Sequence, residues 1–155
     1  MTESMTLSRR RVVVTTLHAS AAALLTGIFA RSAGATPQEA TQLLGTLAKG
    51  QPKPGKVTIT APQIAENGNV VPVQVSVDSP MTDADHVKAV HIVADGNPNP
   101  GVASFNFFPA SGRAQVDFRM RLAQTQKVIA VAEMKDGSLW TAATEVKVTI
   151  GGCGG

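Results

Sequence analysis

Beyond residue 56, apolar and polar positions alternate with a period of two along most of the chain. Val57 and Ile59 alternate with Thr58 and Thr60, and Val71, Val73, Val75 and Val77 line one face against Gln74 and Ser76. Val90, Ile92 and Ala94 follow, then Phe105 and Phe107, then Val116, Phe118, Met120 and Leu122 set against Asp117, Arg119 and Arg121. Such alternation marks strands with one face buried. Val128 to Met134 is nearly continuous in apolar residues, as a central strand covered on both faces would be, and a last run extends from Leu139 to Ile150. Turn-forming segments separate these runs: Glu66-Asn67-Gly68-Asn69, Asp95-Gly96-Asn97-Pro98-Asn99-Pro100-Gly101, Ser111-Gly112 and Asp136-Gly137. About seven short strands at this spacing predict an all-β, immunoglobulin-like antiparallel β-sandwich over residues 51–150. Asp136-Gly137, with strand-like residues on both sides, predicts a hairpin.

Ahead of this region the period lengthens. Thr36-Pro37-Gln38-Glu39 has the form of a capping box with proline at the first helical position. Ala40, Leu43, Leu44 and Leu47 make a helical stripe, and Gly50 with Pro52 ends it. A short N-terminal helix within 36–50, docked loosely, is expected, with Gln51 to Gly55 as a linker. Further upstream, Ser8-Arg9-Arg10-Arg11 precedes an uncharged apolar stretch from Leu17 to Ala30, and Ala33-Gly34-Ala35 gives the small-residue pattern read by signal peptidase. Residues 1–35 therefore read as an export signal, with Thr36 the expected mature start. The stretch is too short and too rich in Ala and Thr for a membrane span. The arginine pair fits the twin-arginine signal, although Val-Val follows it where Phe-Leu is usual; an ordinary Sec signal is the alternative. Either route predicts a periplasmic protein without a membrane anchor after processing.

Composition changes the picture at one point. The 155 residues carry 14 Lys+Arg and 11 Asp+Glu, a formal charge of +3. Arg9, Arg10, Arg11, Arg31 and Glu3 all lie in the leader, so residues 36–155 hold equal numbers of basic and acidic groups. The positive balance belongs to the targeting segment and gives no support to nucleic-acid binding.

Chemistry is sparse. His86 and His91 could contribute to a metal site with Met81, but two histidines and distant acids fall short of a ligand set, and both rings read as surface polar groups. Asp78, Asp83, Asp85 and Asp95 fit no calcium-loop spacing and read as solvated loop acids. Arg113, Arg119 and Arg121 read as the solvent face of a strand, and Trp140 as a core or edge anchor. No phosphate loop or nucleophile elbow is present. The expectation is a protein with no catalytic residues, no metal site and no cofactor.

One residue stands apart. The chain ends "VTIGGCGG", with its single cysteine, Cys153, between two glycine pairs. A lone cysteine in an exported chain cannot close an internal disulfide. Gly151, Gly152, Gly154 and Gly155 make a slender and flexible arm on either side of it. The glycine pairs make a hinge on each side of the thiol, and Cys153 lies three residues beyond Ile150, so the sulfur would stand roughly 10 Å beyond the fold at full extension. No base or cation flanks the thiol in sequence to activate it. It is placed to be delivered into the active sites of other proteins.

The ending "VTIGGCGG", together with "APQIAENGNVVPVQV", "SPMTDADHVKAVHIVADGNPNP" and "VASFNFFPASGRAQVDFRMRLAQTQKVIAVAEMKDGSLW", resembles the SoxY family, the sulfur-carrier subunits of the bacterial thiosulfate-oxidising Sox system. The likeness spans nearly all of residues 36–155. It implies a carrier rather than an enzyme, with Cys153 as the site of covalent sulfur attachment and residues 151–155 as the swinging arm. It further implies a heterodimer with a SoxZ-like subunit and transient contacts with SoxAX-, SoxB- and SoxCD-like enzymes. Three other readings of the residues remain: an exported immunoglobulin-like module joined through an intermolecular Cys153 disulfide, a metal chaperone using Cys153, His86 and Met81, and a ubiquitin-like carrier ending in Gly-Gly. The last would need ATP-dependent activation in the cytoplasm, which an exported chain does not meet.

Overall fold

The computed structural model describes residues 36–152. The export signal expected over 1–35 therefore lies outside the described residues, as do Cys153, Gly154 and Gly155.

Thr36 caps helix α1, Pro37–Leu47, through the capping box expected of it: its hydroxyl accepts from the Glu39 N–H, and the Glu39 carboxylate accepts from the Thr36 N–H at 2.8 Å. This satisfies two of the orphan donors at the helix start. Nine strands follow: β1 Lys53–Pro54, β2 Val57–Thr60, β3 Ile64–Asn67, β4 Val71–Val77, β5 Val87–Ala94, β6 Gly101–Asn106, β7 Ala114–Met120, β8 Gln126–Met134 and β9 Leu139–Ile150. They form a β-sandwich. One sheet runs β1-β9-β8-β5-β6, with β3 also on β9, and the other runs β2-β4-β7.

Side-chain alternation sets the core. The inward faces of β4 (Val71, Val73, Val75, Val77), β5 (Val90, Ile92, Ala94) and β8 (Val128, Ala130, Ala132, Met134) meet between the sheets. Phe105 on β6 and Phe118 on β7, with ring centroids 5.6 Å apart, join the two sheets where both present edge strands. Strand β8 is central, between β5 and β9, and is covered on its second face by the helix: Leu44 and Ala48 pack on Val131 and Leu139. That double burial explains its nearly continuous apolar run from Val128 to Ala132. Asp136-Gly137 makes the β8–β9 hairpin, with Gly137 at φ +82° donating to the Met134 carbonyl.

Two strands depart from the expected antiparallel set. β1 and β3 both pair in parallel with β9, Lys53 opposite Trp140 and Ile64 opposite Lys147. The segment expected to be a linker thus contains a two-residue strand. Trp140 packs against the core beside it, with the Lys56 ammonium 5.3 Å from the ring centroid. This fits an edge anchor that holds the 51–56 segment down.

A second correction concerns His91. Rather than a surface group, it is buried on the outer face of β5, with Nδ1 2.8 Å from Ser104 Oγ. Burial disfavours its charged form and holds its pKa below the ordinary value, against a smaller opposing pull from Glu133. Being out of phase with Val90 and Ile92 placed it away from the sandwich core, but this sheet has a second covered face.

Candidate functional site: the root of the C-terminal arm

The last described residues leave β9 at one end of the sandwich, where three backbone segments converge. In the turn after β3, the Gly68 N–H donates to the Ile150 carbonyl at 2.8 Å. The Gly68 carbonyl accepts from the Leu122 N–H at 2.8 Å, and the Leu122 carbonyl accepts from the Gly152 N–H at 2.9 Å. An Asx turn, with Asn67 Oδ1 accepting from the Asn69 N–H at 2.9 Å, sets the bend around Gly68. The three hydrogen bonds tie the end of β9, the β3–β4 turn and the loop after β7 into one knot.

The knot is too tight for side chains. A Cβ on Gly68 would lie 2.1 Å from the Leu122 oxygen and 2.7 Å from the Gly152 nitrogen. On Gly151 it would lie 2.1 Å from the Ala123 oxygen, and on Gly152 it would lie 2.7 Å from the Gly68 oxygen. Each contact is with backbone, which cannot swing aside, and all are far inside van der Waals distance. Gly68 and Gly152 are buried. None of the three has a positive φ, so glycine serves here for space rather than for handedness. Sequence reasoning makes the glycine pair Gly151-Gly152 a hinge; the structure instead packs both residues against the fold.

Beneath the knot lies a buried amide pair. Asn97 is 2% exposed and Gln126 5%. Asn97 Oδ1 accepts from the Ala123 N–H at 2.9 Å and from Gln126 Nε2 at 2.7 Å, while Asn97 Nδ2 donates to the Arg121 carbonyl at 2.9 Å. Gln126 Oε1 accepts from the Gly96 N–H at 2.7 Å, and Thr125 Oγ1 accepts from the Val148 N–H at 3.0 Å. Loop 121–125, on which the glycines rest, is therefore pinned from below and from the side. These residues were not among the sequence candidates. Asn97 lies in a polar, glycine- and proline-rich segment, which reads equally well as a solvated turn, and Thr125 and Gln126 lie in a short polar stretch with no distinguishing pattern.

The remaining candidates do not converge. Met81 is buried in the sandwich core, and His86 Nδ1 sits 3.0 Å from the Thr82 carbonyl. Asp78, Asp83 and Asp85 are exposed, and Asp95 accepts from the Lys127 N–H at 2.8 Å. Among the described residues no three His, Cys, Asp or Glu side chains come together in a way that could hold a metal ion. Arg113, Arg119 and Arg121 are exposed. Arg119 lines an open groove of 680 Å³ on the three-stranded sheet with Pro72, Gln74 and Asp117. The Asp117 carboxyl is held below its ordinary pKa by hydrogen bonds from Gln74 and then Gln115. Among the described residues, no helix is long and apolar enough to cross a membrane.

Comparison with known proteins bears on both fold and site. The profile of the family described as "Sulfur oxidation protein SoxY" matches residues 41–153, a stretch that takes in Cys153. Among solved structures, the sulfur carrier protein SoxY from Chlorobium limicola f thiosulfatophilum is 32% identical, covering 74% of this chain and 100% of its own, with a TM-score of 0.62. A superoxide reductase (neelaredoxin) from Ignicoccus hospitalis is 24% identical over 75% of this chain and 95% of its own, with a TM-score of 0.54. That similarity speaks for the fold alone. No curated protein matches the chain.

Proposed function

The chain belongs to the SoxY family of sulfur oxidation proteins, and from that premise we propose that it is a periplasmic sulfur carrier that holds thiosulfate-derived intermediates covalently on Cys153. The observation that carries this reading is that the family match runs through the only cysteine of the chain, one residue beyond a glycine pair packed on the fold. A sulfur handled by several enzymes must be reachable and chemically unencumbered. Cys153 has no cysteine partner within the chain, and the four glycines around it carry no titratable side chain.

The chemistry follows from the thiol. Oxidative coupling of Cys153 with thiosulfate would form one S–S bond, release a proton and pass two electrons, one at a time, to a heme-containing SoxAX-like enzyme as acceptor. The product is a cysteine S-thiosulfonate. Attack of water on its sulfonate sulfur by a SoxB-like hydrolase releases sulfate and a proton and leaves a persulfide. A SoxCD-like dehydrogenase would then oxidise the outer sulfur further. In each step the chain contributes the attachment point and the bonds are made and broken by a partner, so the protein is a carrier rather than an enzyme. A SoxZ-like subunit is its proposed heterodimer partner.

Intact mass of the protein from thiosulfate-grown cells tests this directly. Mass increments equal to one sulfur or one thiosulfate, removed by reduction and absent from Cys153→Ser, are expected. Thiosulfate oxidation that persists with Cys153→Ser in a reconstituted system would refute the proposal, because a hydroxyl forms no S–S bond.

A further inference from the structure

Resting on the carrier reading, we propose that Gly68, in a turn 85 residues away from Cys153 along the chain, is a positioning residue for the sulfur-bearing arm, and that Gly151-Gly152 are its docked root rather than its hinge.

The argument is geometric. The Gly68 amide and carbonyl face two different segments, holding Ile150 on one side and Leu122 on the other, and Leu122 holds Gly152. Gly68 also gives the arm room: any side chain there would occupy the position of the Leu122 oxygen and press on the Gly152 nitrogen. The Gly152 amide, at the last described residue, is thereby paired and buried. The origin from which Cys153 is presented is then Gly152, not Ile150. The backbone between fixed origin and cysteine shrinks from three residues, about 10 Å, to one, about 3.5 Å.

Docking matters to a partner enzyme through population. An undocked root spreads the cysteine over a larger volume, and the effective concentration of a tethered group falls roughly as the −3/2 power of tether length. Going from one free residue to three would dilute the thiol about fivefold on that scaling. An enzyme that takes only the docked presentation sees its apparent affinity reduced by the fraction still docked, while turnover once bound is unchanged.

The test uses the full mature chain with its partner subunit. Amide exchange of Gly152 should be protected in the wild type and accelerated about tenfold or more in Gly68→Ala. In reconstituted thiosulfate oxidation, Gly68→Ala should raise the KM for the carrier about fivefold with kcat unchanged. Both are measured on protein whose circular dichroism is native at the assay temperature and whose thiol is alkylated by iodoacetamide at the wild-type rate. Gly151→Ala disturbs the same root through a different contact, at the Ala123 oxygen, without touching the Gly68 turn. It should reproduce both effects should Gly68→Ala fail to fold. Free-chain exchange of the wild-type Gly152 amide, or wild-type KM in the folded variants, overturns the proposal. Failure of the carrier reading is distinguishable: Cys153→Ser would then keep thiosulfate oxidation while the Gly152 amide stayed protected.

Discussion

Replacing Asn97 by alanine removes the pin under the arm root, and its cost can be worked from the contacts. The truncation takes partners from the Ala123 N–H and the Arg121 carbonyl, and it leaves Gln126 Nε2 with only the Gln124 carbonyl at 3.1 Å. A buried donor or acceptor stripped of its partner costs about 1–3 kcal/mol. Ala123 is half-buried and Arg121 exposed, so water recovers part of that loss. The net destabilisation should be about 2–3 kcal/mol, a Tm decrease of roughly 6–15 °C for a domain of this size. Urea unfolding of Asn97→Ala against wild type measures it. Asn99→Ala is the control from the same loop: Asn99 is exposed and accepts only a 3.3 Å bond from the Gly101 N–H, so its change should stay within about 0.5 kcal/mol. Asn97→Ala should also speed exchange of the Gly152 amide under conditions where the fold stays native. An Asn97→Ala protein within about 0.5 kcal/mol of wild type would refute the claim that this network holds the loop in place.

Other consequences are as concrete. His91 is kept neutral by burial, so the unfolded chain binds the extra proton. Stability should be fully present above pH 6.5 and fall as pH drops through that value, a slope that His91→Gln should flatten in urea titrations between about pH 5 and 8. Val75→Ala, at 1% exposure between the sheets, should cost about 2–3 kcal/mol by calorimetry, since it opens a cavity among residues with no room to collapse. Cys153→Ser, a one-atom change beyond the end of the last strand, should leave Tm within about 2 °C and leave partner binding unchanged. Purification of the tagged chain from cells should bring down a second small β-rich subunit in equal amount, and a monomeric but fully active protein in sedimentation would count against that partner.

Much of the sandwich was legible because its signal is local. Period-two alternation in Val71–Val77 coincides with β4, that from Val116 to Leu122 overlaps β7 with a shift of two residues, and the run Leu139 to Ile150 coincides with β9 residue for residue. The helix cap could be read because every partner lies within three residues. What escaped is non-local. Lys53–Pro54 and Ile64–Asn67 are too short and too polar to alternate visibly, and they are strands only because β9 offers them an edge. His91 looked solvent-facing because nothing in its neighbourhood along the chain says that the outer face of β5 is covered. The arm root escaped for the same reason. "IGGCGG" carries the composition of a free tether, and the atoms that make Gly151 and Gly152 a packed element, Leu122 O, Ala123 O and Gly68 O, come from segments about 30 and 80 residues away.

The same physics separates two uses of glycine that composition merges. A tether needs glycine for entropy, since the residue keeps more backbone freedom than any other. A close backbone crossing needs glycine for the missing Cβ, and there the freedom is a cost that hydrogen bonds must offset. At Gly68, Gly151 and Gly152 the second use holds: the virtual Cβ contacts of 2.1 to 2.7 Å are all with backbone atoms of the opposing segment, and the Gly68 and Gly152 amides are paired. A covalent carrier has reason to combine the two. Its cargo must leave the fold to enter several active sites, yet every added free residue dilutes the thiol in the volume where a partner can take it. Fixing the arm at Gly152 shortens the tether to the cysteine, and the stiffness needed to fix it comes from Asn97 and Gln126, buried beneath loop 121–125. On this account the sandwich acts as a rigid mount for the arm, and the residues that most affect sulfur delivery after Cys153 lie beneath and beside its root.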